Sequence, residues 1–179
     1  MKIITENKVY VQYSDIVNLL SIITLANISC PLSVSKRCFA KSIIIDGENK
    51  YAFIEFTEPD AIKFFKSFPY FASYNELINK SEMEIMKLLE ALNDEANKLI
   101  NKYNSLNRNK QNKEYRKYCR EYQLKCYIAM SLNDFLLYKK GEIEFDLPSD
   151  APKIAKEEKK EVPKKKTFLE NILPINRKK

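Results

Sequence analysis

Histidine and tryptophan are absent from the 179 residues, and glycine occurs only at Gly47 and Gly141. Without histidine the chain lacks the commonest general base and the commonest metal ligand. Two isolated glycines supply no clustered-glycine loop to bring backbone close to phosphate, so Walker-type and Rossmann-type nucleotide sites are not expected. Long hydrophobic runs are missing too: the apolar stretch Ile16–Ala26 is far too short to cross a bilayer. The start, Met1-Lys2-Ile3-Ile4-Thr5-Glu6, soon turns acidic and has no extended apolar core, so no signal peptide is expected and a reduced, cytoplasmic setting is. Cys30, Cys38, Cys119 and Cys126 form no short C-x2–4-C knuckle. No metal and no cofactor is therefore predicted.

What is present points to an α+β fold. Hydrophobic residues make up 45% of the chain, enough for one domain with a real core. The boundaries read from the pattern are a single domain over 1–150 and a disordered basic tail over 151–179. Within the domain a small, mainly antiparallel sheet part with two short helices occupies 1–80. A long antiparallel helical hairpin follows over 81–140, then a terminal strand over 142–147.

The hairpin is the most regular feature. Ile85, Leu89, Leu92, Ala96, Leu99, Tyr103 and Leu106 alternate at spacings of four and three, which holds one apolar stripe on one helix face. Ser81 and Glu84 fit a capping box at its start. The polar run from Asn107 to Asn112, rich in asparagine, predicts a turn. A second stripe then runs through Tyr115, Cys119, Tyr122, Cys126, Ala129 and Leu136, and Gly141 after Lys139 and Lys140 marks its stop. The two stripes equally suit pairing between two chains, so a homodimer is the alternative to an intrachain hairpin.

Earlier in the chain, Lys8–Gln12 alternates like a strand, and Ser14 suits the N-cap of a helix over Ile16–Ala26. Asn27–Ala40, with Pro31, reads as loop or irregular strand. Lys41–Ile45 and Tyr51–Phe56 flank an Asp46-Gly47 turn signal and read as a β-hairpin. Thr57 is the expected cap of the next helix, which carries Glu58, Pro59 and Asp60 in its first turn and is ended by Pro69. Tyr70–Tyr74 is a weak strand candidate. Glu142–Leu147 alternates strictly, with Ile143, Phe145 and Leu147 facing in and the acids facing out.

The order strand, helix, strand, turn, strand, helix over Lys8–Phe68 resembles the RNA-recognition motif. Tyr51-Ala52-Phe53-Ile54-Glu55-Phe56 looks like the last six positions of that family's RNP1 signature, and Val9-Tyr10-Val11 like the start of its second signature strand. The resemblance implies that Tyr10, Tyr51 and Phe53 lie on an open sheet face and stack on unpaired bases. Lys50 and Asn49 depart from the signature's glycine and basic positions. The alternative is that the hairpin packs over that face and buries the rings.

Charge is concentrated in two places. Between Lys102 and Lys125 stand eight Lys or Arg against Glu114 and Glu121, and the 151–179 tail carries ten basic against four acidic residues. The net charge of the whole chain is +7, so the remainder is net acidic. A focused basic lobe attracts polyanions or an acidic protein face. Its candidate contact residues are Arg108, Lys110, Lys113, Arg116, Lys117 and Arg120. At the tail's end, within 167–175, Phe168, Leu169, Ile172 and Leu173 have one-turn helical spacing between basic flanks. That cluster suits a docking peptide for a partner groove, or weak contact with an anionic membrane.

Carboxylate pairs at Asp94/Glu95 and Glu142/Glu144, with Asp146, have no pattern that sets two of them around a cleft, and no cysteine has a histidine partner. The expectation is a non-enzymatic binding module that contacts nucleic acid through a basic hairpin tip. The alternative is a protein-interaction or inhibitor module, such as a phage or mobile-element accessory protein, that binds an acidic partner.

Overall fold

The computed structural model describes residues 1–41, 50–106 and 113–153, with backbone alone at 39–41. Of the expected strand over Lys41–Ile45 only Lys41 is described, as the last residue of a helix; residues 42–45, the Asp46-Gly47 turn, the hairpin connection at 107–112 and the tail from 154 onward lie outside the described residues. The fold is α+β: a small antiparallel sheet, a set of short helices and a long helical pair.

Three strands, β1 (Lys2–Ile4), β2 (Val9–Gln12) and β3 (Phe53–Phe56), lie in the order β1-β2-β3. Ile3 pairs with Tyr10, and Val9 pairs with Phe56, both antiparallel. Because side chains alternate along each strand, this register divides the core in two. Val9, Val11 and Phe56 meet helices on one face, and Ile3, Tyr10 and Phe53 meet a second apolar layer on the other. All four residues of β2 are buried. The sheet is covered on both sides.

The first layer is made by α1 (Tyr13–Ala26), α2 (Leu32–Lys41) and α3 (Pro59–Ser67), through Ile16, Leu19, Ile22, Val34 and Phe65 among others. Helix α1 begins before Ser14. The Tyr13 and Ser14 N–H groups donate to the carbonyls of Ala52 and Lys50, so neighbouring backbone serves in place of a side-chain cap. At its other end Asn27 takes the left-handed conformation, and Ile28 N–H reaches back to Ile23 O at 2.9 Å. The stretch expected as loop contains α2 instead. Ser35 N–H bonds Pro31 O at 3.0 Å, and among the described side chains of α2 Val34 and Cys38, one turn apart, are the buried ones. Arg37 fastens α2 to the next helix by pairing with Glu58 at 2.8 Å and lying over the Phe56 ring. The cap of α3 is Glu58 and not Thr57, since Pro59 already occupies the first helical position.

Lys2 closes α3 from the sheet. Its ammonium donates to Phe65 O and Phe68 O at 2.8 and 2.6 Å, which satisfies carbonyls left over at the helix end. Burial pushes the Lys2 pKa down, with Glu76 opposing.

The second layer joins the one-turn helix α4 (Tyr74–Leu77) to the C-terminal half of α6 (Lys113–Lys140) and the segment after it. Tyr70–Tyr74 is therefore no strand: Ser73 makes a single bridge to Lys2, and the helix starts at Tyr74. Glu142–Leu147 likewise makes one bridge, Ala52 to Asp146, and not a regular strand. Its facing is as expected, with Phe145 buried and Glu142, Glu144 and Asp146 exposed. Phe145 stacks on Tyr138, with ring centroids 4.4 Å apart and planes 9° from parallel.

A buried polar group ties α6 to the sheet. The Met1 amino group pairs with Asp15, Ser131 Oγ lies 3.4 Å from the same carboxylate, and Gln12 donates to Asp134 at 3.2 Å. No periodicity announces this cluster, because its members are Met1 and residues of three separate elements, β2, α1 and α6.

Candidate nucleic-acid interface

Helix α5 (Glu82–Ser105) opens with the expected capping box: Glu84 N–H donates to Ser81 Oγ at 3.3 Å, and Ser81 N–H donates to the Glu84 carboxylate at 2.7 Å. It packs along α6, so the two apolar stripes meet within one chain. Ile85 and Ala96 are buried, and Leu89, Leu92, Leu99, Tyr103 and Leu106 are half-buried, on the face that the alternation of four and three sets apart. Near the far end the Tyr103 and Tyr115 hydroxyls meet, with ring centroids 4.2 Å apart.

Helix α6 has a divided character. Its half near the body buries Leu124, Ser131, Leu132, Phe135 and Leu136, whereas from Lys113 to Gln123 no described residue is buried. Neither core cluster includes a described residue between 97 and 123. The far part of the hairpin is thus an arm of two helices packed on each other, about 15 Å long at 1.5 Å per residue.

Lys113, Arg116, Lys117 and Arg120 stand at positions i, i+3, i+4 and i+7 of α6, and all four are exposed. That spacing places them on one face, within an arc of about 100°. The same line continues down the helix as Leu124, Tyr127, Ser131 and Phe135, which meet the body. The basic row is therefore the outward extension of the face by which α6 docks. Lys113, Tyr115, Arg116, Cys119 and Arg120 line a groove of about 480 Å³ there.

Lys117 lies 3.9 Å from Glu121 one turn on, an exposed pair of small energetic weight. Lys125 points to the other helix and pairs with Glu95, while Lys102 lies over the Tyr118 ring at 5.8 Å. Arg108 and Lys110 belong to the connection outside the described residues.

The three rings expected as a stacking platform are placed differently. Tyr10 is 5% exposed and its hydroxyl donates to Asp150 at 2.8 Å; burial, then that hydrogen bond, raises its pKa above the ordinary phenol range. Tyr51 and Phe53 are half-buried, with centroids 6.0 and 5.9 Å from the Phe145 ring. The segment after α6 and the docked half of α6 pack on this face: Tyr10 belongs to the core, and Tyr51 and Phe53 are partly buried against it, so the three rings do not form a fully open aromatic platform. Phe168, Leu169, Ile172 and Leu173 lie outside the described residues.

Among the candidate carboxylates, Asp94, Glu142, Glu144 and Asp146 are exposed and Glu95 is held by Lys125. Cys30, Cys38, Cys119 and Cys126 are all free thiols. Among the described residues no helix is long and apolar enough to cross a membrane. No protein-family model, no curated protein and no solved structure matches the chain.

Proposed function

We propose that the chain is a non-enzymatic, cytoplasmic nucleic-acid-binding module whose contact surface is the basic row of the α6 arm. The observation that carries this reading is the placing of Lys113, Arg116, Lys117 and Arg120 on one exposed face of a projecting helix pair. Four cations spread over about 10.5 Å of one helix line can follow a phosphate backbone, whose charges in a duplex fall every ~1.7 Å of axis, without reference to base sequence. The covered sheet directs attention away from base stacking, so affinity would come from phosphate contacts and discriminate weakly between sequences. Arg108 and Lys110 would add to the same lobe from the connection.

The test is charge reversal. Lys113→Glu, Arg116→Glu, Lys117→Glu and Arg120→Glu combined should abolish binding to single- and double-stranded oligonucleotides at low salt, with far-UV circular dichroism unchanged. Undiminished binding by that variant would remove the reading.

A further inference from the structure

Beyond the basic row, the same side of α6 passes into a groove of about 750 Å³ between α1 and α6. Leu20, Thr24 and Leu25 of α1 form one wall, and Gln123, Tyr127 and Met130 of α6 form the other. Met130 is 56% exposed, among the most exposed large apolar side chains of the described residues, and Leu20, Leu25 and Tyr127 are only half-buried. Ser21, Thr24 and Gln123 make part of the lining polar, and Leu20, Leu25, Tyr127 and Met130 make the larger part apolar; such a trough between two packed helices is the shape into which a third amphipathic helix fits, with side chains at i, i+3 or i+4, and i+7 entering it.

Charge says which helix. Helix α1 contains no lysine or arginine, and its one acid, Asp15, is buried at the opposite end. The charges that continue the groove therefore come from α6. Arg120 lies one turn and Arg116 about two turns beyond Gln123 on the same side, roughly 4.5 and 10.5 Å along the axis. A ligand seated in the trough would have its apolar side chains over Leu20, Tyr127 and Met130 and its next one or two turns over those guanidinium groups. A basic helix would be repelled there, and an acidic one would find charge-assisted hydrogen bonds.

We infer that the α1–α6 groove, with Arg116 and Arg120 at its mouth, is a docking site for an amphipathic helix of a partner protein that carries an apolar row followed by Asp or Glu. The occupant shares Arg116 and Arg120 with the proposed nucleic-acid surface, so the two ligands exclude each other. The groove itself is a separate observation and stands without the nucleic-acid reading.

The probe is a displayed library of helical peptides about four turns long with randomised outward positions, selected against the full chain. The expected result is enrichment of peptides with Leu, Ile, Phe or Met at one-turn spacing and Asp or Glu beyond one end. Synthetic copies should lose at least tenfold in affinity toward Met130→Glu and toward Arg116→Glu with Arg120→Glu. Met130 is exposed, so its variant should fold normally and keep the oligonucleotide binding of the parent chain, which separates this site from the phosphate surface. Failure to enrich any peptide, enrichment of basic peptides, or equal binding by Met130→Glu would each overturn the proposal.

Discussion

The two halves of α6 differ in what lies against one continuous helix face. Toward the C-terminus that face holds Leu124, Tyr127, Ser131 and Phe135 and is pressed into the body; toward the N-terminus it holds Lys113, Arg116, Lys117 and Arg120 and meets solvent. The geometry of the helix does not change between them. Only the side chains do, at about the point where α1 ceases to flank it. One half is held by burial against α1 and in the two core layers, the other by a single stripe shared with α5. Stability and binding should therefore separate cleanly along one element.

The largest expected effect tests the buried half. Phe135 is fully buried and its ring lies 5.6 Å from Tyr74 and 6.5 Å from Phe145. Phe135→Ala should cost about 3–5 kcal/mol in urea unfolding. Leu99→Ala, in the half-buried seam of the arm, should cost under about 2 kcal/mol, because solvent already reaches the site and little cavity is created. Amide exchange should agree, with the arm opening locally at lower free energy than β2. Equal costs for the two variants would mean that the arm is part of the core and the division is wrong.

A smaller effect is expected from the basic row itself. Reversing Lys113, Arg116, Lys117 and Arg120 should shift stability by less than about 1 kcal/mol, since exposed substitutions away from buried features change little and the Lys117–Glu121 pair is worth only about 0.3–0.5 kcal/mol. A larger drop would show that these residues hold the arm together.

The smallest effect concerns the thiols. Burial, with Cys30 nearby, pushes the Cys38 pKa up to about 12, and burial raises that of Cys30 as well. Near pH 8 Cys38 is then overwhelmingly protonated, and its side chain is buried in the first core layer. Alkylation of the native chain should reach half-buried Cys119 of the arm well before Cys38, and urea should erase the difference. The order is read by mass spectrometry of digested samples.

Much of this contrast is legible in the residues, and where it is not the cause is physical. The α5 stripe shows because that helix has one apolar face and one partner. The α6 stripe through Tyr115, Cys119, Tyr122 and Cys126 shows only the face turned to α5. Leu124, Phe135 and their neighbours bury a second face against the body, and a helix apolar on two sides has no single period to detect. The short strand β1 and helix α2 are hidden for another reason. Each is fixed by partners distant in sequence, such as the Ala72 carbonyl that accepts Lys2 N–H at 2.9 Å, or Asp60, which holds Ser33 at 2.8 Å. The aromatic positions Tyr10, Tyr51 and Phe53 share a sheet face as their alternation requires, but alternation cannot tell an open face from one roofed by Phe145 and Tyr138. The basic row is the reverse case. Its i, i+3, i+4, i+7 spacing stands in the sequence, and the fold adds that the row is exposed and lies beyond the reach of the core.

The most direct test of a phosphate-binding arm is the salt dependence of its affinity for a labelled single-stranded oligonucleotide, followed by fluorescence anisotropy. Log affinity should fall linearly with log salt, and removing both guanidinium groups by Arg116→Ala with Arg120→Ala should lower the slope by about 1.4, near 0.7 for each phosphate no longer neutralised. An unchanged slope in that variant, or no binding by the parent chain at low salt, would contradict a nucleic-acid role for the arm.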